Sequence, residues 1–170
     1  MSNRYSTYGL HPLIAASSAG HTSIVELLLK KTNGIIIIYL LYYYYYYYYY
    51  YHYQGININV SDEDETNSLM AAALSGHKDM VKLLISKGIN VRAQNIDGHN
   101  ALMFAYNGKH QLIHLQEKYK DYTKHEDIET NNLLKSAIKT QIDIINELIK
   151  AGVDPNQKDN DGHISSDFDI

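Results

Sequence analysis

The chain has 170 residues, 15 basic and 19 acidic, giving a formal net charge of -4, and it contains no cysteine. That length suits one domain or one short repeat array, the charge leaves no polybasic footprint for nucleic acid or anionic lipid, and the lack of cysteine excludes disulfides and thiolate metal sites. The opening MSNRYSTYGLHPL has no basic region followed by an apolar run, so no secretory signal is expected. A cytoplasmic location is the simplest expectation, with a nuclear one also open.

The first periodic element, HPLIAASSAGHTSIVELLLKK from His11, has a plan that returns downstream. GININVSDEDETNSLMAA from Gly55 lies over GINVRAQNIDGHNALMFA from Gly88, pairing Asp64 with Asp97, Asn67 with Asn100 and Leu69 with Leu102 at a constant offset of 33. NNLLKSAIKTQIDIINELIKAGVDPNQKDNDG from Asn131 repeats the plan again, and NDGHISSDFDI begins it once more. A fixed period of that size is the signature of a stacked repeat. Each unit carries two short helical patterns. In the second unit Leu69, Ala72 and Ala73 make a narrow apolar face, and Met80, Val81, Leu83, Leu84 and Ile85 make a wider one. Small alanines let neighbouring backbones approach, and Gly76 ends the first helix where positive φ is easiest for glycine.

These residues resemble the ankyrin repeat, with its T-P-L-H-x-A-A-x-x-G-H, I-V-x-L-L-L and G-A pattern. Residues 11–31 match it with His11 for Thr and Ile14 for His. The second unit keeps Leu69, Ala72, Ala73, Gly76, His77, Leu83, Leu84 and Gly88, with Asn67 and Ser68 at the Thr-Pro positions. The third keeps Asp97, Gly98, Leu102 and Ala105 but has Gln116 and Glu117 near the Leu-Leu positions. The resemblance implies an all-α ankyrin-repeat solenoid. Its expected divisions are unit one over 8–34, a low-complexity Ile/Tyr insert over 35–54, hairpin loop and unit two over 55–96, a degenerate unit three over 97–130, unit four over 131–160, and a partial C-terminal cap over 161–170.

The insert falls where Gly20 and Gly76 stand 56 positions apart, 23 more than one period. Residues 35–53 are long enough to span a membrane, yet Tyr42 to Tyr51 are ten tyrosines, which favour the interface over the hydrocarbon centre. A sticky recognition loop is a second reading, opposed by the aggregation hazard of an uncharged run of high β-propensity. The third concerns the gene. Ile, Tyr and Leu codons can be written with A and T alone. If Gly34 is GGT and Gln54 is CAA, donor and acceptor dinucleotides bound 21 in-frame codons whose removal fuses Gly34 to Gly55. We read residues 35–54 with one flanking glycine as a retained or unrecognised intron.

Nine histidines raise the question of metal or catalysis. The resemblance gives His21 and His77 a structural hydrogen-bonding role, and His110 with His114, four apart on a helix, lack a third ligand nearby in sequence. No phosphate loop, nucleophile elbow or catalytic carboxylate pair is present, so no enzyme, no metal, no cofactor and no small-molecule substrate are expected. The acidic run DEDE at 62–65 lacks the ligand pattern of a calcium loop, and Glu65, standing where the next unit has Gly98, should make that hairpin tip depart from Asp-Gly turn geometry. The expected function is a protein-protein interaction module or adaptor using the ankyrin concave surface, with an unidentified protein partner and no nucleic acid. The alternative is an ankyrin protein tethered to a membrane through residues 35–53. Candidate partner contacts, placed by register at tips and first helices, are Asp62, Glu63, Arg92, Gln94, Asn95, His99 and Met103.

Overall fold

A computed structural model describes residues 11–30, 56–122 and 128–168. Six helices appear among them: α1 (Pro12–Ser18), α2 (Thr22–Leu29), α3 (Ser68–Leu74), α4 (Lys78–Ser86), α5 (Ala101–Tyr122) and α6 (Ile128–Lys150), followed by a short 3-10 helix, Ser165–Phe168. Each short first helix starts at a side-chain cap. Asn67 Oδ1 accepts from the N–H groups of Leu69 and Met70 at 3.0 and 3.1 Å, and Asn100 Oδ1 does the same for Leu102 and Met103. These bonds satisfy donors that a helix start leaves open. His11 caps α1 through Nδ1, 3.2 Å from the Leu13 N–H. Burial lowers the pKa of this imidazole, which favours the neutral ring that the cap needs.

The helices stack in two layers. In one, α1 packs on α3, α3 on the start of α5, and α5 on the 3-10 helix; in the other, α2 packs on α4 and α4 on α6. One apolar core runs from Leu13 through Leu69, Ala72, Ala73, Met80 and Leu84 to Leu102, Ile144, Leu148 and Val153. The fold is an all-α solenoid, and its only β pairings among the described residues are the isolated bridges Ser61–Asn67 and Gln94–Asn100.

The expected insert lies outside the described residues, but its two flanks are in place. The Ile56 N–H donates to Leu28 O at 3.3 Å, as Ile89 does to Leu84 O and Val153 to Leu148 O. The first pair is 28 positions apart and the other two are five apart, so the stack closes across the extra residues in the register of a complete unit.

The residues expected to form separate third and fourth units over 97–130 and 131–160 run instead as the two long helices α5 and α6. They are antiparallel, joined by Gln116 Nε2 to Asn131 Oδ1 at 2.8 Å. Only the start of α5 and the end of α6 occupy stack positions. Lys78 of α4 reaches Asp143 at 2.7 Å, and the closing bond of Val153 stands 64 positions after that of Ile89, 31 more than one period. The surplus is a helical excursion. Gly108 permits it, because a Cβ there would run into Leu74 O and the Gln141 side chain. That close approach explains a glycine inside a helix, where it ordinarily costs about 0.5–1 kcal/mol relative to alanine.

Deleting residues 32–54 would join Lys31 to Gly55 as Lys87 joins Gly88. Shortening the connection should stabilise the stack by roughly 1 kcal/mol from loop closure. Thermal unfolding followed by circular dichroism should give a midpoint at or above that of the full chain; a large drop would show that the deleted residues support the fold.

Candidate protein-interaction surface

Three hairpin tips share one construction. Asp62, Asn95 and Asp159 each turn a side-chain oxygen inward to accept two backbone N–H groups, from residues two and four ahead, at 2.8–3.1 Å. Backbone bonds close each tip, Asp62 to Thr66, Asn95 to His99 and Asp159 to His163, all at 3.0 Å. The turn needs a positive φ three residues after the inward side chain, supplied by Gly98 at 82° and Gly162 at 89°. The expectation that Glu65 makes its tip depart from this geometry is not met. Glu65 adopts φ 60° and its N–H bonds to Asp62 O at 3.1 Å, because the surrounding bonds fix the turn and the side chain accepts the left-handed backbone.

The tips are tied to one another. Ile96 N–H donates to Asp64 O, and Asn160 N–H to Asp97 O, each at 3.0 Å, with Asn160 Nδ2 on Ile96 O at 2.8 Å. A second set of ties sits at the opposite ends of the helices. His77 Nε2 lies 2.8 Å from Ser18 O, and Gln141 Nε2 donates to Leu74 O at 3.0 Å, each side chain reaching the end of the preceding unit's first helix. A Cβ on Gly20 would stand 2.7 Å from the His77 ring, so glycine is required for the first of these contacts.

A family model of ankyrin repeats in three copies matches residues 41–124, and a model of the single ankyrin repeat matches residues 8–38. The chain belongs to the ankyrin repeat family. A search of curated proteins finds no match. Ankyrin repeats are protein-protein interaction modules in general, and the stacked tips of this ankyrin protein form an exposed ridge. No helix among the described residues is long and apolar enough to cross a membrane; the tether expected of residues 35–53 falls outside them.

The candidate contacts divide by what their side chains already do. Met103 is 1% exposed, so it is not available to a partner. Asp62 and Asn95 hold their own tips. Gln94 is engaged by Gly98 O and Lys158 O. His99 packs edge-on against Phe104 and Phe168 and lies 3.4 Å from Asp159. Glu63 and Arg92 remain exposed, and with them Asp64, Glu65, Asp97 and Asp161. Register alone predicts which residues lie at a tip, but not which side chains turn inward. The inward role could be read from Asp or Asn recurring at 62, 95 and 159 before each turn, since these residues favour such local bonds.

Of the histidines, His77 makes the expected structural bond, His21 is exposed, and His110 and His114 sit on α5, with His110 Nδ1 buried. Asp159 was not among the expected site residues, yet its carboxylate is 1% exposed and faces both His99 and His163 at 3.4 Å. Burial works to raise the Asp159 pKa; N–H groups of His163 and Asp161 and the His163 ring outweigh it and hold the carboxyl below its ordinary value.

Two predictions follow from the tip geometry. Glu65→Gly should relieve the left-handed strain and raise stability by about 1 kcal/mol in urea unfolding, less the flexibility that glycine adds to the unfolded chain. Asp159→Asn keeps the inward acceptor, as Asn95 shows, and removes the charge. Because the folded pKa of Asp159 is depressed, its contribution is present above the unfolded carboxyl value and is lost as pH falls through the folded one. Unfolding midpoints of the wild type should exceed those of Asp159→Asn at neutral pH and converge with them toward pH 3; a gap independent of pH would contradict the assignment.

Proposed function

We propose that this chain is a non-enzymatic adaptor whose tip ridge and adjoining concave face hold a basic, extended segment of a partner protein. The observation that carries the reading is the row of exposed carboxylates at Glu63, Asp64, Glu65, Asp97 and Asp161, fixed in sequence by the backbone bonds between tips. Among the described residues, none of these side chains makes an ion pair. Like charges held on one edge raise the local concentration of a cationic segment and speed its encounter. The rigid turns present them with little ordering left to do on binding. Arg92, exposed at the side of the same ridge, supplies the opposite charge and would set the direction in which a mixed-charge segment lies.

The test is a pair of substitutions that spare the tip's own bonds, Glu63→Lys with Asp64→Lys. Binding of a fluorescently labelled Lys/Arg-rich peptide, measured by anisotropy, should weaken at least tenfold and lose part of its salt dependence, with the circular dichroism spectrum unchanged. Equal affinity for both proteins would remove the acidic ridge from the reading. Arg92→Ala should leave the affinity for an all-basic peptide equal or slightly higher.

A further inference from the structure

We propose that the hairpin tip at 159–163 is closed by a proton-operated latch, in which His99 and His163 gain charge as pH falls and grip the Asp159 carboxylate and the 3-10 helix beside it. The three described tips share one construction but not one chemistry. The first turns a carboxylate inward, Asp62, and the residue four ahead whose N–H it accepts is Thr66. The second has His99 in that place but an uncharged inward side chain, Asn95. Only the third of these tips combines a carboxylate with imidazoles. Oδ2 of Asp159 lies 3.4 Å from Nδ1 of His163 in its own tip and 3.4 Å from Nε2 of His99 in the tip before. The other oxygen, Oδ1, is occupied by the N–H groups of Asp161 and His163.

The Asp159 side chain is 1% exposed, so water supplies little of the solvation that its charge needs. Burial disfavours the ionised form, yet the backbone N–H groups and the His163 ring keep the carboxyl below its ordinary value. It is therefore ionised throughout the range in which histidine ordinarily changes charge, about pH 5 to 8. Both rings can exchange protons with solvent, His163 being exposed and His99 half-buried. A neutral ring offers Oδ2 at most a dipolar N–H, whereas a protonated ring offers a charge-assisted contact. Phe168 carries the effect to the 3-10 helix, its ring edge-on to His99 with centroids 5.2 Å apart and to His163 at 6.4 Å. The remaining charged groups of the surrounding elements are Lys158 and Asp161 on the same tip, Asp97 on the tip before and Asp167 on the 3-10 helix; residues 101–106 of α5 add none. Among the described residues none of these pairs with Asp159, and Asp167 is engaged by the Ile164 N–H at 2.8 Å. The nearby acids favour the charged rings as well. The latch is thus tightest where the imidazoles are charged and the carboxyl still ionised, and it weakens as pH rises through the histidine range.

The latch is independent of what the ridge binds, and its test needs no ligand. Amide exchange of the intact chain by NMR reads each tip separately, when expressed as protection relative to an unfolded chain at the same pH. Protection of the His163 N–H should rise roughly threefold or more between about pH 7.5 and 5.5. That of the Thr66 N–H, held by Asp62 in a tip without histidine, should stay constant. His99→Gln with His163→Gln should remove the rise at position 163, and Thr66 shows that such a turn closes without histidine there. Asp159→Asn should remove it too while keeping the inward acceptor, as Asn95 does. Protection at 163 that does not vary with pH in the wild type, an equal rise at Thr66, or a rise that persists in either variant would overturn the latch.

Discussion

No helix of a unit can bury its apolar face without the unit beside it, and the rest of the structure follows from that dependence. Ile24, Met80 and Ile144 occupy equivalent places on α2, α4 and α6. Met80 and Ile144 are 1% and 0% exposed, each with an earlier helix of its layer to pack against, whereas Ile24, with no described helix before it, is 47% exposed. At about 25 cal/mol per Å² of apolar surface buried, such contacts outweigh any propensity that seven- to nine-residue helices could contribute alone. Stability is therefore shared between neighbours, as in other one-dimensional arrays. The polar ties at His77 and Gln141 set the register of contacts whose energy comes from burial.

That arrangement explains how two long additions are accommodated. The first leaves the stack at a point whose backbone bonding is restored by Ile56 N–H to Leu28 O. The second leaves along α5 and returns on α6, where Gln141 donates to Leu74 O and the unit then closes with its usual bond, Val153 N–H to Leu148 O. The added chain need not disturb the core so long as its ends return to the same place, and the entropic cost of a longer connection rises only slowly with length. The second addition does demand one change inside the stack. Where α5 continues past the point at which a short first helix would stop, its backbone meets the carbonyl end of α3 and the side chain of Gln141, and only a residue without Cβ fits at 108.

Much of this was legible in the sequence. The 33-residue offset, the alanine pair at 72 and 73, and Gly20, Gly76 and Gly88 identified the stack and its turns. The long helices were not legible as such, because Asn131 onward repeats the unit pattern well enough to look like a new unit, and helical periodicity does not say whether α5 stops near Gly108 or runs to Tyr122. Gln141 was hidden for a related reason. It does the work of His77 with a different side chain and at 64 residues' remove, where a motif search finds neither the glycine nor the histidine. Among the tip candidates, Met103 was misplaced because helical position was fixed only to within a turn, and one turn separates a core methionine from an exposed contact.

The tips make clear why sequence position and binding availability are different quantities. A carboxylate at 62 or 159 and one at 64 or 161 look alike in composition, yet the first of each pair is an internal acceptor and the second is solvent-facing. Removing an inward group would leave two backbone N–H groups without their acceptor and alter the turn itself. Removing an outward one changes the field along the ridge and leaves the turn as it was. The ridge can therefore vary in charge without loss of fold, and Ile96, 52% exposed at the same tip place as Glu63, is such a variation within this one chain. On the proposed reading, a partner segment crossing the tips would meet acid, then an apolar side chain, then Asn160, and would match them with a basic residue at the first tip and an apolar one at the middle.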